Sequence, residues 1–106
     1  MRFQWNETKR QAVIKERQVD ILYAALIFEG DVLTRVDDRK DYGEDRLISM
    51  GMVGGEVFVV VYTLRDDEIR LITAWKGGRD EQEHYQTGIL KRSQEDAGKG
   101  GAFSYP

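Results

Sequence analysis

The sequence predicts an α+β fold: an N-terminal strand and two helices, an antiparallel β-meander, and a C-terminal helix. Three observations carry this. Segments rich in β-branched and apolar residues, separated by short turn signals, cluster in residues 46–75. Stretches with N-cap residues and helical composition flank that cluster on both sides. Helices segregated from a run of strands, rather than alternating with them, define α+β rather than α/β architecture.

The elements follow in order. Phe3 and Trp5 alternate with Arg2, Gln4 and Asn6, the period of a short strand. Asn6 is a good N-cap, and Thr8–Arg17 has a helical composition. Asp20 is a second N-cap. Behind it Ile21, Ala24, Ala25 and Phe28 fall on one helical face, and Glu29-Gly30-Asp31 ends the helix. An edge strand is expected near Val32. Residues 37–45 carry 7 charges in 9 positions and no apolar period, so they are expected to form a solvated loop. Arg46–Val53 is a strand, Gly54-Gly55 a hairpin turn, and Val57–Leu64 the next strand. That strand is apolar on both faces, which places it centrally in the sheet. Arg65-Asp66-Asp67-Glu68 is a second turn, Ile69–Trp75 a third strand, and Arg79–Arg92 a helix. Residues 1–92 are expected to form a single domain. Residues 93–106, with Gly98-Lys99-Gly100-Gly101, are expected to form a glycine-rich flexible tail.

Composition narrows the function. The chain has 106 residues, no cysteine and one histidine, His84, which excludes disulfides, a cysteine nucleophile and zinc sites built on two or three histidines. No apolar run, Val57–Val61 included, is long enough to span a bilayer, and polar residues interrupt the N-terminus where a signal peptide would be apolar. A cytoplasmic protein with no membrane partner is expected. The net charge of −3 is unevenly spread: +2 over residues 1–20, −4 over 21–60 and −1 over 61–106. Nucleic-acid binding therefore requires a local cluster of Arg and Lys.

Such a cluster is visible in the strands. Period 2 puts Arg46, Ile48, Met50 and Met52 on one face, and puts Arg70, Ile72 and Ala74 on one face with Lys76 in phase. An arginine on an apolar strand face needs a partner or a ligand. One reading is structural, with Glu44 and Arg46 paired to each other or to strand neighbours. The other is an Arg/Lys cradle for a phosphate, since guanidinium groups bind phosphate oxygens bidentately and stabilise developing negative charge. His84, in the C-terminal helix, is either a surface side chain or a general acid or base. Tyr42 and Tyr62 are either packing residues or stacking and proton-donor groups, and Trp5 and Trp75 are core or interface aromatics. The acidic loop lacks calcium-site spacing, and no glycine motif precedes a helix as a nucleotide loop requires. No metal or cofactor is expected.

Several segments together resemble one family. They are Phe3-x-Trp5-Asn6-x-x-Lys9, Val19-Asp20-Ile21-x-x-Ala24-Ala25-x-Ile27-Phe28, and Tyr42-Gly43-Glu44-x-Arg46 with Gly51. Val59-Val60-Val61-Tyr62-Thr63-x-Arg65, Arg70-Leu71-Ile72-Thr73-Ala74-x-Lys76, Glu81 and Tyr85 complete the series. In order and spacing these resemble the BrnT family, small ribonuclease toxins of bacterial type II toxin–antitoxin pairs with a RelE-like fold. The resemblance implies metal-independent cleavage of RNA by attack of the ribose 2′-hydroxyl, and inhibition of translation. It implies neutralisation by a cognate antitoxin, a small DNA-binding protein of ribbon-helix-helix type, through which operator DNA is reached, with a homodimer among the expected assemblies. Carried onto these positions, Glu44 is the candidate base, and Arg46, Arg70 and Lys76 form the phosphate clamp. His84 or Tyr62 is the acid, and Arg65, Tyr62 and Lys9 bind substrate. The sequence departs from the family pattern at Glu16-Arg17-Gln18, where the family has Lys-His-Gly. It departs at Val13, where the family has asparagine, and at Trp75, where it has arginine. These departures keep a second reading open: a catalytically degenerate module that binds an antitoxin-like partner and contributes to transcriptional autoregulation.

Overall fold

A computed structural model describes residues 2–41 and 43–96. The element order is β1 (Arg2–Gln4), α1 (Glu7–Arg17), α2 (Ile21–Ala24), a 3₁₀ turn (Ala25–Glu29), β2 (Leu33–Val36), β3 (Leu47–Val53), β4 (Glu56–Arg65), β5 (Glu68–Lys76) and α3 (Arg79–Asp96). One five-stranded sheet is ordered β1-β5-β4-β3-β2. All pairings are antiparallel except β1 with β5. The α+β expectation and the central position of the doubly apolar strand, β4, both hold. α3 continues past Arg92 to Asp96, so the first residues assigned to the tail are helical, while residues 97–106 lie outside the described residues.

Local chemistry explains the element ends. The Asn6 side chain accepts a hydrogen bond from the Lys9 N–H at 3.0 Å and starts α1. Asp20 starts α2 by accepting from the Leu22 N–H at 2.9 Å. It also receives both arms of the Arg10 guanidinium, at 2.8 and 2.7 Å, which ties α1 to α2. Gly54 and Gly55 both have positive φ, 59° and 81°, as a two-residue hairpin of primed type requires. α2 is shorter than the sequence periodicity implies. Its apolar face continues as the tighter 3₁₀ turn, with Ile27 fully buried. That turn lies so close to β3 that a Cβ at Gly51 would come within 2.6 Å of the Ile27 Cβ.

The sheet has a core on each face. One packs Phe58, Val60, Tyr62, Leu71 and Ala74 against Val13 of α1, Ile21 and Ala24 of α2, and Ile27. The other packs Leu33, Ile48, Met50, Val57, Val59 and Val61 with Ile72 and Trp75, and α3 covers part of it through Tyr85 and Ile89. α3 packs chiefly over β2, β3 and β4. The Tyr85 hydroxyl donates to the Asp31 carbonyl at 2.9 Å, and Arg92 donates to the Val32 carbonyl at 2.8 Å. The far end of this face, toward the starts of β3 and β5, is therefore left for the site.

Candidate active site

One irregularity determines which side chains meet. Along β4 and β5 the pairing runs Phe58↔Lys76, Val59↔Trp75, Val60↔Ala74 and Val61↔Thr73, then resumes at Tyr62↔Leu71. Ile72 is the extra residue of a β-bulge, so the side-chain alternation shifts by one across it. Arg70 and Ile72 share the α3 face with Thr73 and Trp75, whereas Ala74 and Lys76 turn to the α1–α2 face. This corrects the expectation that Ala74 and Lys76 stay in phase with Arg70. Lys76 is ion-paired with Glu56 and faces a different pocket, alongside Asp20, Tyr23 and Phe58.

Arg46 does reach Arg70. Thr63 pairs with Arg70, and Gln4 of β1 pairs with the same residue. Leu47 pairs with Tyr62, so Arg46, one position earlier, falls level with Thr63. The Asp37 N–H donates to the Arg46 carbonyl at 2.8 Å and keeps β2 and β3 in register there. Arg46 and Arg70 thus flank Thr63 on one sheet face, both half-buried. A cleft of about 220 Å³ opens beside them, lined by Asn6, Lys9, Glu44, Arg46 and Arg70. Lys9 arrives from the first turn of α1 and Glu44 from the loop before β3.

The rest of the candidates divide clearly. Arg65 joins the cluster: its Nη2 donates to Glu44 Oε2 at 3.1 Å. Thr63 Oγ1 donates to the Asp45 carbonyl at 2.8 Å, which pins the loop that carries Glu44. Tyr62 is a core residue on the opposite face, 5% exposed, with its hydroxyl 2.6 Å from Ser49 Oγ. His84 is exposed on α3, one position from inward-facing Tyr85 and roughly 100° round the helix from it. It does not line the cleft. Tyr42 lies outside the described residues. Among the described residues, no group of three or more His, Asp or Glu side chains is placed to hold a metal ion, and no helix is long and apolar enough to cross a membrane.

Among the described residues, the loop between β2 and β3 is exposed from Asp38 to Asp45, as its composition implies, but its first residue is enclosed. Asp37 is buried and receives Arg39 Nε at 2.7 Å and Nη2 at 2.8 Å. The Arg39 side chain is the main cause holding its carboxyl below the ordinary carboxylate range. Arg39 in turn lies over the Trp75 ring, 6.0 Å from its centroid. Arg17, at the end of α1, lies over the same ring at 5.5 Å and donates to Thr73 Oγ1 and the Ala74 carbonyl at 3.4 and 3.3 Å. Two of the departures from the family pattern, Arg17 and Trp75, are therefore in contact. A third, Gln18, occupies the left-handed C-cap of α1 (φ 54°), the conformation that glycine suits best. Sequence reasoning missed Asp37 and Arg39 because their partnership depends on burial that a charged run hides.

What this arrangement can do chemically is hold an anion. Lys9, Arg46 and Arg70 line the cleft with one carboxylate, Glu44, which a fourth cation, Arg65, engages, in a chain whose net charge is negative. No curated protein matches the chain. A family model described as the ribonuclease toxin BrnT of type II toxin–antitoxin systems matches residues 5–81, a span that includes every element from α1 to β5 and all four of these cations. The chain belongs to the BrnT family, the ribonuclease toxins of type II toxin–antitoxin systems.

Proposed function

We propose that the chain is a metal-independent endoribonuclease that arrests translation and is neutralised by a DNA-binding antitoxin. The observation that carries this is the placement of Arg46 and Arg70 on either side of Thr63, at a cleft shared with Lys9 and Glu44. Two half-buried guanidinium groups on a sheet face grip phosphate oxygens and strengthen their hold as charge builds on them in the transition state. The 2′-hydroxyl attacks the adjacent phosphorus and its proton passes to the Glu44 carboxylate. The bond to the 5′-oxygen breaks, that oxygen takes a proton from water at the open mouth of the cleft, and the proton held by Glu44 neutralises the hydroxide left behind. The products are a 2′,3′-cyclic phosphate and a 5′-hydroxyl end. Lys9 binds a phosphate oxygen, and Arg65 holds Glu44 in place. Lys76, Tyr62 and His84 have no part in this assignment, because each lies away from the cleft.

A second reading rests on a specific observation. Among the described residues no histidine or tyrosine lines the cleft, the Glu44 carboxylate is already engaged by Arg65, and Arg17 and Trp75 replace the family's histidine and arginine. On that reading the chain binds its antitoxin and tunes repression without cutting RNA. Expression of the chain alone under a tight inducible promoter separates the two. Growth arrest with RNA fragmentation, abolished in an Arg46→Ala, Arg70→Ala double variant, supports the nuclease. Normal growth and intact RNA from soluble, folded protein support the binding module.

A further inference from the structure

The sheet face that carries the phosphate cleft continues past it to an aromatic side chain that the cleft does not use. Trp75 lies on the same face of β5 as Arg70, roughly 15 Å further along the strand. Its ring is half-buried, so it is held in one orientation while part of its surface reaches solvent. The Arg17 and Arg39 guanidinium groups lie over it at 5.5 and 6.0 Å. Neither is placed by chance. Arg17 is fixed by its bonds to Thr73 Oγ1 and the Ala74 carbonyl. Arg39 is fixed by the buried Asp37 carboxylate, and the Asp37 backbone N–H also bonds the Arg46 carbonyl. Asp37 thus links Arg39 of the aromatic cluster to the strand end that carries Arg46.

We infer that Trp75, framed by Arg17 and Arg39, is a stacking shelf for a nucleobase of single-stranded RNA whose backbone is held at Arg46 and Arg70. This rests on the RNA-binding reading of the cleft. Indole rings and guanidinium planes are the two protein surfaces on which unpaired bases stack. The Asp37 carboxylate that holds Arg39 is buried, so the groups shown over the ring, Arg17 and Arg39, present positive charge to a polyanion. A protein partner recognised through an apolar surface gains nothing from two arginines over the ring, which makes a nucleic acid the better fit. The departures from the family pattern at Arg17 and Trp75 then act as a pair, building a base-binding element where the family has a histidine and an arginine.

The test uses the full chain and a short 2′-O-methyl oligoribonucleotide, which lacks the attacking hydroxyl and is not cut. In a Trp5→Phe variant the remaining indole is Trp75. Its fluorescence is expected to quench saturably with the oligonucleotide and not with inorganic polyphosphate. Trp75→Ala is expected to weaken oligonucleotide binding about 5- to 150-fold, with the slope of affinity against salt unchanged because no phosphate contact is lost. Trp75→Phe, which preserves an aromatic face and guards against a folding defect, is expected to retain most of the affinity. Arg46→Ala and Arg70→Ala are each expected to lower the salt slope by roughly 0.7. If those two variants lower the slope while Trp75→Ala binds as tightly as the parent, the shelf is overturned and the cleft stands. If the parent protein binds no oligonucleotide at low salt, both are overturned. A Trp75 signal that answers only to a ribbon-helix-helix antitoxin assigns this face to a protein and overturns the shelf as well.

Discussion

The bulge at Ile72 makes Arg70 and Lys76 a decisive pair of substitutions. Strict alternation along β5 would put both cations on one phosphate. The observed register puts Arg70 at the cleft and Lys76 on the other side of the sheet, paired with Glu56. Arg70→Ala removes a half-buried guanidinium from the proposed phosphate site. By analogy with removal of one preorganised donor to a developing oxyanion, the cleavage rate is expected to fall about 10²- to 10³-fold. One lost phosphate contact also lowers the salt slope of RNA binding by roughly 0.7. Lys76→Ala breaks an ion pair whose two side chains are 54% and 45% exposed, which contributes at most about 1 kcal/mol to stability. It leaves the cleft untouched, so the cleavage rate is expected to stay within about twofold of the parent. Cleavage of a fluorophore–quencher oligoribonucleotide, with thermal melts of each variant, measures both quantities. A Lys76→Ala loss equal to that of Arg70→Ala, in a protein of unchanged stability, would refute the face assignment.

Two further predictions concern stability. Gln18 is held at φ 54°, a region costing a non-glycine residue about 1–2 kcal/mol, and glycine's greater freedom in the unfolded chain offsets about 0.4–1 kcal/mol of the relief. Gln18→Gly also loses the surface bond to the Lys15 carbonyl, so a net gain of about 0.5 kcal/mol is expected, raising Tm by a few degrees; a fall in Tm on thermal denaturation contradicts it. Asp20 and Asp37 are held below the ordinary carboxylate range, chiefly by Arg10 and Arg39 respectively. Because their folded values are depressed, the stability they contribute is fully present above about pH 4, their unfolded value, and is lost as pH falls through the folded values. Urea midpoints measured from pH 7 downward are expected to drop on that acid limb, and the limb is expected to flatten in Asp20→Asn and Asp37→Asn; equal steepness in parent and variants counts against these pairs.

Much of the architecture is legible in the residues, and the gaps have physical causes. Asn6 and Asp20 announce two helix starts, Gly54-Gly55 a hairpin, and the run Val57–Val61 a strand buried on both faces. The parallel docking of β1 on β5 is not legible, because pairing between distant segments leaves no local periodicity. The bulge is equally silent: Arg70-Leu71-Ile72-Thr73-Ala74 contains no glycine or proline to mark it. That silence is costly for the site, since a one-residue shift reverses every later side chain and carries Lys76 out of the cluster. Arg46 and Arg70 are legible because each interrupts an apolar strand face before any irregularity intervenes. The contacts of Arg17 and Arg39 with Trp75 depend on tertiary packing and leave no signal in the spacing.

The segment Tyr62-Thr63-x-Arg65 shows how one motif serves fold and site at once, and it supplies the last test. Alternation sends Thr63 and Arg65 to the cleft face, where one bonds the Asp45 carbonyl and the other the Glu44 carboxylate. The same alternation sends Tyr62 to the core. There its ring meets Phe28 edge-on with centroids 5.0 Å apart, and its hydroxyl completes a chain with Ser49 and Thr34 at 2.6 and 2.7 Å. A tyrosine in this motif therefore carries no implication of proton donation. Tyr62→Phe keeps the ring contacts and removes one buried hydrogen bond. Ser49 still has Thr34, so the cost is expected to be about 0.5–1.5 kcal/mol. Toxicity and cleavage rate are expected to match the parent once the stability loss is allowed for. Were Tyr62 the acid, the opposite pattern would appear: a rate loss of about a hundredfold or more with little change in melting temperature. A hydroxyl enclosed on the far side of the sheet from Arg46 and Arg70 has no path to a leaving oxygen held between them, so the stability loss without the rate loss is the outcome this geometry requires.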